Sequence, residues 1–292
     1  MSNVQKLSLD CKTVCELFNV ACVSKMNYGA EVCGFIPAKE LERIHLKFGK
    51  RLLGVKTSTC TPAVYGELGR KPLIVTRTFR IIKYWFKILR SENCLIRSIY
   101  DCDSKNMISN WIIFVKQTLL SHGFGDVWYF PESVNEKVFY MYFEQRQTDC
   151  FFQKLRVDIE NAHPLKLFKF LNPTLQQADY LNYIYYEKHR KALTRLRLSS
   201  HSLRIESGRY DKKCPTSERK CIFCTSNEIE DEYHFVLICN FYTELREKYI
   251  KKYYYVRPSM AKFIELLNSN SESILKKLEC FNKRENSTIQ QY

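Results

Sequence analysis

Apolar residues recur along this chain mostly at three- and four-residue steps, the spacing of one face of an α-helix. Over 12–26 they fall at Val14, Leu17, Phe18 and Val20–Ala21. A second helix is expected from Pro37, with Leu41, Ile44, Phe48 and Leu52 on one face and Arg43, Lys47, Lys50 and Arg51 towards another. Gly54 and the stretch STCTP end it. The third helix, about 72–91, carries the most information. At 100° per residue, Arg77, Arg80, Lys83, Lys87 and Arg90 share a sector of about 140°, with Ile81, Ile82, Trp85, Phe86 and Leu89 outside it. The spacing predicts a core-packed helix with a cationic stripe about 20 Å long.

Further helices are expected at 105–121 and 133–158, the second opened by the capping-box pattern Ser133-x-x-Glu136. The stretch GFGDVW (123–128) between them reads as a turn. His163-Pro164 marks a break and a shorter helix, and a basic helix then runs to about Leu198 with Arg190, Lys191, Arg195 and Arg197. Phe241–Lys252, Pro258–Asn268 and a final helix capped by Ser269-x-x-Glu272 follow, before a frayed tail. The expected fold class is mainly α: a helical bundle, then a helical tail with a small metal-binding module. The composition break near 200–220 is the best domain boundary.

Composition narrows the class. A length of 292 residues suits one large or two modest domains. At 45% hydrophobic the chain can bury a sizeable core, which excludes wholesale disorder. Only 9 Gly and 8 Pro exclude collagen-like and low-complexity architectures. The start MSNVQKLSLDCKT has no apolar stretch of a secretory signal, and no run of 18 apolar residues occurs. An intracellular protein, nuclear or cytoplasmic and not membrane-bound, is expected. The 13 Cys are odd in number, and residues such as Cys22, Cys60, Cys94 and Cys150 are scattered singly. That suits small buried hydrophobes better than a disulfide scaffold.

Charge points to a partner. The net formal charge is +15, and residues 43–90 hold twelve Lys/Arg against one acid, Glu67. Residues 187–220 hold eleven Lys/Arg against four acids, so the two blocks carry +11 and +7 and the remainder about −3. Two concentrated blocks on a near-neutral chain imply a polyanion, whose phosphate backbone a helical cationic stripe can follow.

The sharpest constellation is Cys221-x2-Cys224-x9-His234-x4-Cys239. A Cys-x2-Cys pair puts two thiolates on one tight turn, and a later His and Cys can complete a closed tetrahedral site for a structural zinc ion. The competing reading is two buried cysteine pairs and a core histidine; the ordered spacing favours metal. Cys214 is an alternative ligand. The acids Glu228, Glu230, Asp231 and Glu232 suit a solvated helix start, or else an outer shell that orients His234. No G-x-S-x-G, H-E-x-x-H or phosphate-loop motif occurs. Nor does any Asp-Asp dipeptide, the pairing that holds polymerase metal ions. Asp101 and Asp103 fit a loop or cap role, and His45 a surface or packing role.

The string Met26-Asn-Tyr-Gly-Ala-Glu-Val-Cys-Gly-Phe35, then LERIHLKFGKRLLGVKTST and VYGELGRKPL (64–73), resembles the segment after the catalytic palm in reverse transcriptases of non-LTR (LINE-type) retrotransposons. The resemblance continues through RIIKYWFK (80–87), GFGDVW, LTRLRLSSHSLRIESGRY (193–210), ERKCIFC and IEDEYHFVLIC (218–239), and ends in RPSMAKFIELLNSNS. It covers nearly the whole chain in family order. Cys33 stands where the family usually has Trp, and Asn240 where Pro often follows the last Cys.

The resemblance implies a helical thumb-like region over 1–100, a connecting region with the basic helix over 101–213, and a zinc-knuckle-like module over 214–292. It implies that Cys221, Cys224, His234 and Cys239 hold zinc, and that Arg43, Lys47, Lys50 and Arg51 belong to the thumb. The partners implied are RNA, DNA or their hybrid, and the palm and fingers, whose residues are absent from this sequence. No polymerase activity is expected of the chain by itself. A helical protein-interaction module, using Trp85, Phe86 and Tyr253–Tyr255, is the alternative. A nuclease tail is disfavoured because neither Glu247-x-Tyr nor Glu272-x-Ile forms the Glu-x-Lys pair it needs.

Overall fold

A computed structural model describes residues 9–184, 186–210, 214–269 and 271. The fold is mainly α, and the described residues contain no strand. Their one β-type pairing is an isolated antiparallel bridge between Lys220 and Ile229. The expected final helix from Ser269-x-x-Glu272 and the frayed tail lie outside the described residues.

The chain forms two compact units, each assembled from separate stretches. Among the described residues, the first comprises 9–16, 46–70 and 157–271, and the second 17–45 and 71–156. The divisions read from sequence at 100/101 and 213/214 therefore coincide with neither unit. Composition shifts mark local chemistry, whereas these units are defined by pairing between distant stretches.

In the second unit, the helix Leu73–Leu89 starts directly after Pro72, whose fixed φ suits the entrance to a helix. Ile81, Ile82, Trp85 and Phe86 are buried along it and meet Ile112, Val115 and Leu119 of the helix Asn110–Ser121. Phe139 and Phe143 of the helix Glu136–Asn161 close the same core. Trp85 stacks on Trp128 at 5.7 Å and donates through its indole nitrogen to the Tyr100 hydroxyl at 3.0 Å. Its size and its single donor are both satisfied, which is what a fully buried Trp requires.

Several local expectations are corrected. GFGDVW forms a short helix, Gly125–Tyr129, and Val127 enters the core. The helix at about 105–121 divides in two, Cys94–Asn106 and Asn110–Ser121. Asp103 stands at the division and accepts from the Ser109 backbone at 2.7 Å and hydroxyl at 2.5 Å, the cap role expected of it. In the helix Lys39–Leu53 the buried row is His45, Phe48, Gly49 and Leu53, and Ile44 points outward at 47% exposure. Rotating the face by one residue buries His45, which stacks on Phe18 at 6.1 Å.

The capping box at Ser133 does not form. The helix begins at Glu136, the Asn135 side chain accepts from Val138 N, and the Ser133 hydroxyl turns back to the Phe130 carbonyl. Asn135→Ala is therefore expected to destabilise the protein by about 1 kcal/mol in urea denaturation, and Ser133→Ala to change little. Equal losses would contradict this assignment of the cap.

The first unit is organised around a polar knot. Thr61–Leu68, which begins within the STCTP stop and where no helix is expected from sequence, is itself a helix with Ala63 to Leu68 all buried. Glu67, the one acid of the +11 block, is fully buried and pairs with buried Arg197 at 2.7 Å. Arg197 also donates to the Leu267 carbonyl at 2.9 Å and to Asn268 Oδ1 at 2.7 Å. The Asn172 amide donates to the Gly66 carbonyl at 3.0 Å and to the Gln176 carbonyl at 2.8 Å. One carboxylate thus ties together stretches more than a hundred residues apart.

Candidate functional site

The ordered Cys and His residues meet in the first unit through two local devices. The first is a hairpin: Cys221 N donates to the Glu228 carbonyl at 2.9 Å, and Glu230 N to the Arg219 carbonyl at 2.9 Å. Asn227 takes φ +61° at its turn, a conformation Asn tolerates better than most residues. The second is a widened helical turn, His234–Ile238, closed by Cys239 N donating to the His234 carbonyl at 2.8 Å. On an α-helix, residues five apart would diverge by about 140°. The i→i+5 closure brings them to one side, a use of π-turns common at functional sites.

One ligand atom from each of Cys221, Cys224, His234 and Cys239 lies within 4.8 Å of the others, and this cluster could hold a metal ion. Cys221 Sγ is 3.8 Å from Cys239 Sγ, and Cys224 Sγ is 3.4 Å from His234 Nε2. Beneath them Phe235, Val236 and Leu237 are buried, with Phe235 edge-on to Tyr242 at 4.9 Å. Cys214 stands apart, its thiol at 3.9 Å from the Pro215 carbonyl, so it is not a fifth member.

The thiols differ in their readiness to ionise. Burial pushes Cys239 up to about 12 and also raises Cys221. Burial works in the same direction on Cys224. Hydrogen bonds from the Ser226 hydroxyl and backbone, and from Cys221 and His234, outweigh it and bring that thiol down to about 7. A cation binding here must displace protons from buried thiols, so uptake is coupled to proton release.

The acidic run is not a solvated helix start. Glu228 Oε2 lies 2.9 Å from His234 Nδ1, which leaves Nε2 towards Cys224 and orients the ring as an outer-shell carboxylate does. Asp231 accepts from His234 N at 2.7 Å. Glu230 accepts from Arg204 N at 2.9 Å, and Glu232 lies 2.8 Å from His201 Nε2. Sequence reasoning missed Arg246. Buried, it donates to the Cys239 carbonyl at 2.6 Å and the Val236 carbonyl at 2.9 Å, holding the end of the widened turn. Its place inside the expected helix Phe241–Lys252 carried no signal of that role.

The basic positions divide into two sets. Arg77, Arg190 and Arg197 are buried and committed inward. Arg77 reaches the Gly34 carbonyl at 3.4 Å, Arg190 the Ile184 carbonyl at 3.1 Å, and Arg197 the knot at Glu67. Arg80 donates to the Asn27 carbonyl at 2.9 Å. The stripe on Leu73–Leu89 is therefore half structural, since its first two arginines fasten the segment 27–34. Lys83, Lys87 and Arg90 are exposed, Lys83 lying 4.4 Å from the Phe79 ring centre and Arg90 pairing with Glu136 at 2.7 Å. On Lys39–Leu53, Arg43 pairs with Glu40 at 2.5 Å, and Lys50 donates to the Thr57 carbonyl at 2.5 Å. Lys47 and Arg51 are exposed and have no ion pair among the described residues. On Glu187–Arg197, Lys191 pairs with Glu187, and exposed Arg195 donates to the Gly54 carbonyl at 2.7 Å.

Trp85 and Phe86 are core residues and Tyr254 is buried, so only part of the aromatic set proposed for a protein partner reaches the surface. Among the described residues outside the Cys3His cluster only Cys11 and Cys15 are buried, whereas Cys33, Cys94 and Cys102 are exposed, which corrects the expectation that most are core residues. The Cys33 thiol sits 3.2 Å from the Gly29 carbonyl. No helix among the described residues is long and apolar enough to cross a membrane.

No protein-family model, curated protein or solved structure matches this chain.

Proposed function

We propose that the protein binds nucleic acid through its phosphate backbone, in the manner of the thumb and zinc-knuckle region of a LINE-type reverse transcriptase, with a structural zinc ion in the Cys3His cluster. The observation that carries the reading is the pairing of exposed cations one helical turn apart. Lys47 and Arg51 form one such pair, and Lys83 and Lys87 another. Residues four apart on a helix are separated by about 6 Å along the axis, so each pair can meet successive phosphates of one strand. The sequence resemblance to LINE-type enzymes is the second support.

Zinc is favoured by the donor set and its spacing. Thiolates and imidazole suit zinc, and zinc–sulfur bonds of about 2.3 Å in a tetrahedron put sulfurs about 3.8 Å apart. Cys221 and Cys239 stand at that separation. Four protein donors make a closed site, which suits a structural ion, and the carboxylate of Glu228 would keep His234 Nε2 aimed at it.

Binding of a labelled RNA–DNA hybrid, followed by fluorescence anisotropy at low salt, tests the reading. Lys47→Glu with Arg51→Glu is expected to weaken it by about tenfold or more, through lost phosphate contacts. Lys105→Glu with Lys137→Glu, at exposed lysines outside both basic blocks, alters the net charge equally, serves as the control and is expected to change it little. Equal effects of the two variants would show that net charge alone attracts the hybrid.

A further inference from the structure

The first unit contains a cleft of about 350 Å³, within the range of ligand pockets, between 163–170, 199–209, 229–233 and 260–263. Two phenylalanines and a tyrosine line it. Phe170 is 55% exposed, Phe263 is buried, and Tyr233 meets Phe263 edge-on at 5.7 Å. The exposed Met260 adds a polarizable apolar edge.

The polar groups in the same cleft are unequal. The acids are already occupied: Glu206 pairs with Arg209 at 2.7 Å, Glu232 with His201 at 2.8 Å, and Asp231 accepts from His234 N at 2.7 Å. The basic side chains are less so. Lys166 and His163 line the cleft as exposed residues, and the Nε of Arg209 is buried without an acceptor among the described residues. Lys166, then burial, then Arg209 and Arg219 hold the His163 imidazole below its usual range, so the local field is positive. An apolar side chain would leave that field and the Arg209 donor unanswered. A flat, acceptor-rich group joined to an anion would answer both.

We infer that this cleft takes one unpaired base of a nucleic-acid strand, with its face on Phe170, an edge acceptor towards Arg209, and the adjoining phosphate at Lys166. The inference rests on the nucleic-acid reading above and adds to it a preference for single-stranded over fully paired substrate. Aromatic platforms bind bases in this way with little regard to sequence, since every base has a π-face.

The test uses the full chain and a short single-stranded RNA with a central 2-aminopurine, whose fluorescence falls on stacking. Wild type is expected to quench the probe and to bind it more tightly than the same strand annealed to its complement. Phe170→Ala should abolish the quench and weaken binding by about 5- to 150-fold, the range one stacked base supplies, while Phe170→Tyr keeps both. An unchanged melting temperature for Phe170→Ala excludes unfolding as the cause. Binding that is salt-sensitive but leaves the probe bright in wild type overturns the cleft assignment alone. Absence of any binding at low salt overturns the nucleic-acid reading as well.

Discussion

Replacing Cys239 with serine is expected to abolish stoichiometric zinc binding and to release the local fold around residues 219–242. Cys239 closes the widened turn from His234 and faces Cys221 at 3.8 Å, so its loss removes one donor and leaves the buried partner thiol unmatched. Structural zinc in finger peptides contributes about 10–16 kcal/mol of apparent binding free energy, more than this small apolar layer can replace. Cys214→Ser is the matched control, because Cys214 stands outside the cluster and should leave zinc content unchanged. Metal content by elemental analysis, with amide hydrogen exchange across 219–242, reads both halves of the prediction. One zinc per chain in Cys239→Ser would overturn the ligand assignment. Zinc loss without local opening would show that the hairpin stands on its own hydrogen bonds.

The second large effect belongs to Glu67→Gln. Its carboxylate is fully buried against Arg197, which lies under the Tyr180 ring plane at 4.8 Å and holds the Leu267 and Asn268 acceptors. Removing one member of a buried pair strands a charge in the interior and costs about 3–5 kcal/mol. Replacing both members with apolar residues of similar volume is commonly neutral or stabilising. Urea denaturation should therefore find Glu67→Gln severely destabilised and Glu67→Leu/Arg197→Met much less so. A double variant worse than the single one would mean that the further partners of Arg197, at 267–268, matter more than the charge pair.

These two sites differ in how far they could be read from sequence, and the difference is physical. The metal quartet occupies 19 consecutive positions, so its spacing alone encodes a turn and a fold-back. The helix Leu73–Leu89 was legible at about 72–91 because its apolar row is continuous and lies on one side. Glu67 was not legible as a structural hub. Its partner is 130 residues away, and nothing local separates a buried acid from a surface one. The same limit explains why Arg77, Arg190 and Arg197 read as surface cations: periodicity places a residue on a face, but only packing decides whether that face meets solvent. The acidic run beside His234 failed in the same way, since its partners Arg204 and His201 come from another stretch. At Ser133, a matching motif lost to Asn135 standing two residues nearer the helix start.

Binding of a phosphate backbone by these exposed cations is tested most directly by the salt dependence of affinity. With an RNA–DNA hybrid, the logarithm of the binding constant should fall linearly with the logarithm of salt concentration, with a slope of about −3 or steeper if Lys47, Arg51, Lys83 and Lys87 all engage. Lys47→Gln with Arg51→Gln should make the slope shallower by about 2. A wild-type affinity that does not change with salt, or a slope untouched by that double substitution, would contradict the account.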